Sequence, residues 1–389
     1  MTMHIRDRFP GLSDGWVRFD GPAGTLPVDR AVDAMHAYLC SPAPANVGGA
    51  FEASIATGTM VDGVRAQVGT LLGCDAEHVI FGASATALMF AYTRALARTW
   101  NGTERIVCTQ LDHDSNITPW VDAAHDVGAS VTVVPVDPRD GTLDLADVER
   151  ALRAGDVAWV ALSGASNLTG FAPDLATAAR LAHDAGARLH VDAVARVPHL
   201  PVDVDGWGVD SLVTSPYKWY GPHAGVLVLH PDLLRGVEPY RVRPAGYDGP
   251  DRWETGTKSF ETIAGIGGAA AFMLEQPWPE VMEAEAALLR RLEDGLKSIS
   301  GVTAYAPAAP CERAPTTIFN VGDLAPDAVA AMLAERRIAV WSGDNYACEL
   351  VDALGLRERG GAVRAGVVRH TTVDEVDALL AAVTDIAKS

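Results

Sequence analysis

The chain has 389 residues, 48% of them apolar, and a formal net charge of −19; that is length for one large α/β unit or two domains. Such acidity argues against nucleic-acid and anionic-membrane partners, because phosphate recognition needs a basic patch. No apolar run approaches a membrane span, the opening "MTMHIRDRFPG" holds no apolar signal-peptide core, and the five scattered cysteines show no CxxC spacing, so reduced thiols, a cytoplasmic location and no metal site are expected.

In chain order, "HVIFGAS" reads as a strand ending in small residues, and "ATALMFAYTRALARTW" as the helix after it. "ERIVCTQLDHDS" is a strand with a polar end, followed by the helical "PWVDAAHDVGA". "SVTVVPVD", "VAWVALSGASN" and "ARLHVDA" continue as strands, separated by helical "LDLADVERALRAG" and "DLATAARLAHDAG". Buried strands alternating with crossover helices predict a mostly parallel sheet covered on both faces. "SLV" and "AGVLVL" are two more apolar runs, with "PYKWYGPH" between them. The Gly-, Pro- and charge-rich "PYRVRPAGYDGPDRWETGTK" is expected to be a loop lining a cleft. Beyond it "ETIAGIGGAAAFMLEQ" and "AEAALLRRLEDGLKSI" read as long helices. "TTIFNVG", "APDAVAAMLAERR", "IAVWSG", "AVRAGVVR" and "TVDEVDALLAAVTDIA" then suggest a smaller α+β unit. The expected division is a large domain over 30–260 and a small one from 1–29 and 261–389.

In open α/β sheets ligands collect at the carboxyl ends of the strands. Ser84, Asp112, His113, Asn167, Asp192, Ser215 and Lys218 each follow a predicted strand. Lys218 sits among Tyr217, Trp219 and Tyr220, where an amine is desolvated and becomes nucleophilic toward aldehydes. With an aspartate on a neighbouring strand end, this is the polar apparatus pyridoxal phosphate (PLP) needs. Alone, a loop lysine is an ordinary solvated charge and a strand-end aspartate a helix cap; the joint placement argues otherwise.

The ordered segments "LDHDSNITPW", "SGASNLTG", "HVDAV", "SPYKWYGPHAGVL", "RWETGT" and "VRAGVVRHTTVDEVD" resemble the class V aminotransferase superfamily, and within it the cysteine desulfurase-like and selenocysteine lyase branch. The resemblance runs from "FDGPAG" to the last helix. It implies the type I fold of PLP-dependent transferases: a large domain on a mostly parallel, seven-stranded sheet plus a smaller α+β domain. It makes Lys218 the Schiff-base lysine, Asp192 the partner of the pyridine nitrogen, and His113 a catalytic residue stacked on the ring. Asn167 would reach the ring hydroxyl or the substrate carboxylate. Ala83, Ser84 and Ser215 would hold the phosphate, the first two at a helix start suited to anions. Thr257 would reach the phosphate of a partner subunit, which implies a homodimer with a shared active site. Arg364 matches the arginine that grips the amino-acid substrate's carboxylate, a task its fork of donors suits.

The chain also departs from the desulfurase pattern. Ala195 stands where a glutamine follows the acidic residue, and Tyr217 where a histidine precedes the lysine. In "VWSGDNYACEL" the position of the persulfide-forming cysteine is Tyr346, and an arginine position is Trp341. Cys348 lies two residues further on, in what reads as a helix facing the core. The expectation is a PLP-dependent C–S lyase that acts on cysteine or a cysteine S-conjugate by β-elimination, without a persulfide cysteine. Trp341, Tyr346 and the loop around Tyr247 would offer an aromatic wall to a substrate larger than cysteine. The competing readings are a desulfurase using Cys348, a class V aminotransferase or epimerase, and a non-catalytic scaffold.

Overall fold

The computed structural model describes residues 5–41, 44–246, 248–308 and 310–388. Tyr247 lies outside the described residues. Strand β1 (Val17–Arg18) is followed by β2 (Val79–Gly82), β3 (Arg105–Thr109), β4 (Ser130–Val134), β5 (Val157–Ser163), β6 (Arg188–Asp192), β7 (Ser211–Thr214) and β8 (Gly225–Leu229). Then come β9 (Val302–Tyr305), β10 (Thr316–Val321), β11 (Ile338–Ala339), β12 (Trp341–Gly343) and β13 (Ala362–Gly366).

Seven strands form one sheet in the order β2-β8-β7-β6-β5-β3-β4. β8 runs against both its neighbours and the other pairs are parallel. The strands are buried on both faces, which explains their continuous apolar runs. Val107, Leu189, Val191 and Leu212 point into one core, with helices Glu52–Leu72, Leu175–Asp184 and Phe260–Leu274. Ile106, Cys108, Trp159 and Val213 point into the other, with helices Ala85–Ala97 and Thr118–Val127. Neighbours in sequence thus serve opposite faces, as a pleated strand requires.

A four-stranded antiparallel sheet, β12-β13-β10-β9, packs on helices Trp278–Ser298, Pro326–Glu335 and Val373–Lys388 through Leu292, Leu333, Leu379 and Val383. β1 pairs in parallel with β11, and Phe19 enters this third core. The smaller sheet is tied to the carboxyl-end loops of the larger one. Ala314 N donates to Gly170 O at 2.8 Å, and the Arg364 guanidinium donates to Asn167 O at 3.0 Å.

Two further helices, Asp29–Cys40 and Glu52–Leu72, precede the strands and helices read from the sequence. In the second, apolar Val61, Val64 and Val68 recur at helical spacing, but Gly58, Gly63, Gly69 and three threonines dilute the pattern with poor helix formers.

Candidate functional site

Lys218 ends a short 3-10 helix, Pro216–Lys218, between the buried strands β7 and β8. Pro216 starts that turn with its fixed φ, and Lys218 N donates to Ser215 O at 2.9 Å. Trp219 and Tyr220 are fully buried and anchor the loop: Trp219 Nε1 donates to Thr214 Oγ1 at 3.3 Å, and Tyr220 Oη accepts from Arg369 N at 3.2 Å. Tyr217 keeps its ring 5.3 Å from Lys218 Nζ. Burial, then the Arg364 charge, lower the Lys218 pKa to about 7, against the pull of Asp192. The amine is therefore substantially free base at neutral pH, whereas an exposed lysine is almost wholly protonated.

A strap from Asp20 to Thr25 crosses this loop. Lys218 Nζ donates to Pro22 O, and Thr25 N and Oγ1 both donate to Tyr217 O, at 3.0 and 2.9 Å. Gly24 lets the strap lie close here, since a Cβ would come 3.1 Å from the Tyr217 ring and push it aside. The sequence offered "FDGPAG" only as the start of a resemblance, with no sign of which residues it covers.

Asp192 closes β6 and is buried. Val194 N donates to its Oδ1 at 2.9 Å, which fixes the carboxyl direction. Burial raises its pKa to about 6, while the Val194 N–H and Lys218 lower it. His113 follows β3, and its Nδ1 accepts from Ser115 N at 3.0 Å. That bond leaves the neutral ring's proton on Nε2. Burial, then the charges of Lys218 and Arg364, push the His113 pKa down to about 4. Asp112 braces this turn, accepting from Thr109 N at 3.0 Å and Asn116 Nδ2 at 2.9 Å. His113, Asn167, Asp192, Ser215, Tyr217, Lys218 and Ala195 line one cleft, with Ala85 and Thr86 at its end.

Arg364 reaches this region from β13, a buried strand of the smaller sheet, and burial lowers its pKa to about 10. It is 5% exposed, and its Nε has no partner. Asn167 donates from Nδ2 to Asn345 O at 2.8 Å and leaves its buried Oδ1 unpaired. Asn345 and Tyr346 both have left-handed backbones, φ 53° and 58°, at roughly 1 kcal/mol or more each for non-glycine residues. Hydrogen bonds hold them: Asp114 N donates to Tyr346 O at 2.7 Å, and Tyr346 N to Asp344 Oδ1 at 3.0 Å. The result seats the Tyr346 ring on His113, centroids 5.5 Å apart at 27°. Trp341 lies directly across the sheet from Arg364. Cys348 opens the helix Cys348–Ala353, half-buried, its Sγ 3.7 Å from Asp344 Oδ2. Burial and then the Asp344 carboxylate raise its thiol pKa.

Ser84 caps the helix Ala85–Ala97, accepting from Ala87 N at 3.1 Å. Its oxygen accepts that bond and keeps its O–H to donate, and the N–H groups of Ala85 and Thr86 have no partner within the helix. Thr257 is not in the Lys218 cleft: it is exposed and lines a separate hollow with Ala83, His223, Tyr240 and Trp253. The cleft-lining loop expected over "PYRVRPAGYDGPDRWETGTK" therefore lines this second hollow. His223 was not anticipated. It stacks on Tyr217, centroids 4.8 Å apart at 15°, and stood in the same motif as the lysine.

An amine of lowered basicity, a buried acid and an open helix N-terminus meet at the strand ends of a type I fold. Unpaired Asn167 Oδ1 and Arg364 Nε add an acceptor and a donor to the site. These are the groups PLP and an amino-acid carboxylate take up, so the residues present fit that cofactor. Comparisons agree. The profile described as Aminotransferase class-V matches residues 17–379. An uncharacterized Mycobacterium tuberculosis protein is 28% identical over 98% of both chains. A cysteine desulfurase of Klebsiella pneumoniae is 30% identical over 84% of this chain and 82% of its own. The apo structure of a cysteine desulfurase from Thermococcus onnurineus superposes with a TM-score of 0.93 at 26% identity, covering 100% of this chain and 99% of the other. The chain belongs to the class-V aminotransferase family, in its cysteine desulfurase-like branch, and its cofactor is PLP.

Proposed function

We propose that this chain is a PLP-dependent lyase that breaks the C–S bond of cysteine or a cysteine S-conjugate by β-elimination, with none of its own cysteines accepting the sulfur. The observation that carries this reading is a tyrosine, Tyr346, at the persulfide position of the rim, beside a complete amine–acid–guanidinium set. Tyr346 lies on His113, while Cys348 sits at a helix start beside a carboxylate that disfavours its thiolate.

When bound, PLP supplies an aldehyde for the substrate amine and an electron-poor ring that takes up the charge released at Cα. Arg364 grips the substrate carboxylate, assisted by Asn167. Lys218 Nζ, held near neutrality by burial, takes the proton from Cα. Asp192 keeps a proton on the ring nitrogen, and His113 packs against the ring. Ser215 and the N–H groups of Ala85 and Thr86, at the start of the helix Ala85–Ala97, hold the phosphate. The Cβ–S bond breaks with its electron pair on sulfur, and the sulfur then takes a proton. With one water, a cysteine S-conjugate thus yields pyruvate, ammonia and a thiol.

A homodimer completes the site in this reading. Thr257 lies outside its own Lys218 cleft, in a hollow it lines with exposed Tyr240, and helices Asp29–Cys40 and Glu52–Leu72 leave Leu39 and Ile55 exposed. A second copy would cover these and receive Thr257 at its phosphate. Mixing Lys218→Ala with a Thr257 variant should restore partial activity in the hybrid; a fully active monomer refutes the shared site. No described helix is long and apolar enough to cross a membrane, and a cytoplasmic enzyme without nucleic-acid partners remains our proposal.

The test is release of pyruvate, ammonia and thiol or sulfide across a panel of cysteine derivatives, by the wild type and by Cys348→Ala. Undiminished release by the variant supports elimination. Lost sulfur release, with a persulfide trapped on Cys348 in the parent, makes the protein a desulfurase.

A further inference from the structure

We infer that Tyr346, together with Trp341, selects substrates whose sulfur carries a flat aromatic group that is neutral or cationic. This rests on the C–S lyase reading and names the substituent. Among the described residues, Tyr346 and Trp341 are large aromatics left open, 69% and 54% exposed, and both adjoin the Arg364 site. Trp341 is the cross-strand partner of Arg364, so the two side chains stand on the same face of the sheet. Tyr346 is joined to Arg364 through Asn167, which donates to Asn345 O and accepts from Arg364. One face of the Tyr346 ring rests on His113, and its high exposure leaves the remainder open to a second ring.

The position is imposed, not incidental. Two successive non-glycine residues hold left-handed backbones there, and bonds from Asp114, Asn167 and Asp344 secure them. Strain of this kind persists where the surroundings over-determine it, which happens at binding sites. A carboxylate held on Arg364 then leaves the far end of the amino acid directed along an aromatic rim. Ring-on-ring contact favours an aryl over a methyl substituent. The Asp344 carboxylate accepts from Tyr346 N, Asp114 donates its own N–H to Tyr346 O, and both carboxylates act on Cys348 two residues on, so negative charge flanks the side of the ring away from Lys218 and Arg364. Asp344 has Arg357 at 3.9 Å. An anionic substituent is disfavoured there.

The experiment titrates holoenzyme with S-phenyl-, S-methyl- and S-(4-carboxyphenyl)-L-cysteine and, as ligands without a sulfur leaving group, O-benzyl- and O-methyl-L-serine. Binding is read from the cofactor's visible band and turnover separately. The wild type should bind each aryl or benzyl compound about tenfold tighter than its methyl counterpart. Tyr346→Phe should keep this ratio and Tyr346→Ala should bring it to near unity. The carboxyphenyl compound should bind several-fold more weakly than the phenyl one, and equal binding overturns the charge clause. A preference that survives Tyr346→Ala, or no preference in the wild type, overturns the inference even if C–S bonds are cleaved. Preference for O-benzylserine that Tyr346→Ala abolishes, with no C–S compound cleaved, supports the inference and removes the lyase reading instead.

Discussion

The strand-end cleft around Lys218 and the rim from Trp341 to Cys348 obey different rules. In the cleft, Asp192, Ser215 and Arg364 are buried, and Lys218 is enclosed enough to lose its usual basicity. On the rim the backbone is left-handed and the aromatics are open to solvent. The cleft holds groups whose pKa values must be displaced, and displacement needs burial. Groups proposed to meet a substituent, such as Tyr346 and Trp341, must instead stay accessible. In the proposed function the cleft sets the reaction type and the rim the substrate choice.

The comparison breaks most visibly at Lys218. Lys218→Ala should abolish covalent cofactor attachment and lower turnover by about 10⁴-fold, the upper range for a positioned proton-transfer group. Borohydride reduction followed by peptide mapping should place the cofactor on Lys218. Label on Lys258, which pairs instead with Glu254 at 2.8 Å, would move the site to the other hollow. Asp192→Asn should keep the cofactor and slow α-proton exchange by about 10²-fold; exchange at the wild-type rate removes its role.

Arg364→Lys should raise KM about tenfold or more with a smaller change in kcat, because a point charge replaces a two-pronged donor. An unchanged KM would detach the smaller sheet from substrate binding. The pH dependence of cofactor capture sharpens the same contrast. The reactive form is the free amine, so the rate should rise with pH and level off above about pH 8, given a Lys218 pKa of about 7. A rate still climbing toward pH 10 would describe an ordinary exposed lysine. The smallest effect belongs to the rim thiol: Cys348→Ala should stay within about twofold of wild type for C–S cleavage.

Much of the cleft was legible because its residues follow strands that announce themselves. Asp192 ends "RLHVD" and Lys218 sits between two apolar runs, so both fell at the predicted sheet edge. Ser84 was placed correctly at a helix start, but its hydroxyl caps that helix. Trp219 and Tyr220, expected to shield the amine, anchor the loop in the core, and Tyr217 alone of the three aromatics lines the cleft. Cys348 does begin a helix, yet it is half-buried beside Asp344, a contact four residues back that no periodicity signals.

By itself the sequence determined the alternation of strands and helices, the sign of the surface charge and the set of reactive side chains, because periodicity and strand-end position are local properties. Only the tertiary structure decided that Pro22 caps Lys218, that Arg364 meets Asn167 and that Tyr346 lies on His113. Those partners are 196, 197 and 233 residues apart in the chain. Each pairing depends on how two sheets and a strap pack against one another, and on a strained pair of left-handed residues that hydrogen bonds from distant loops hold in place.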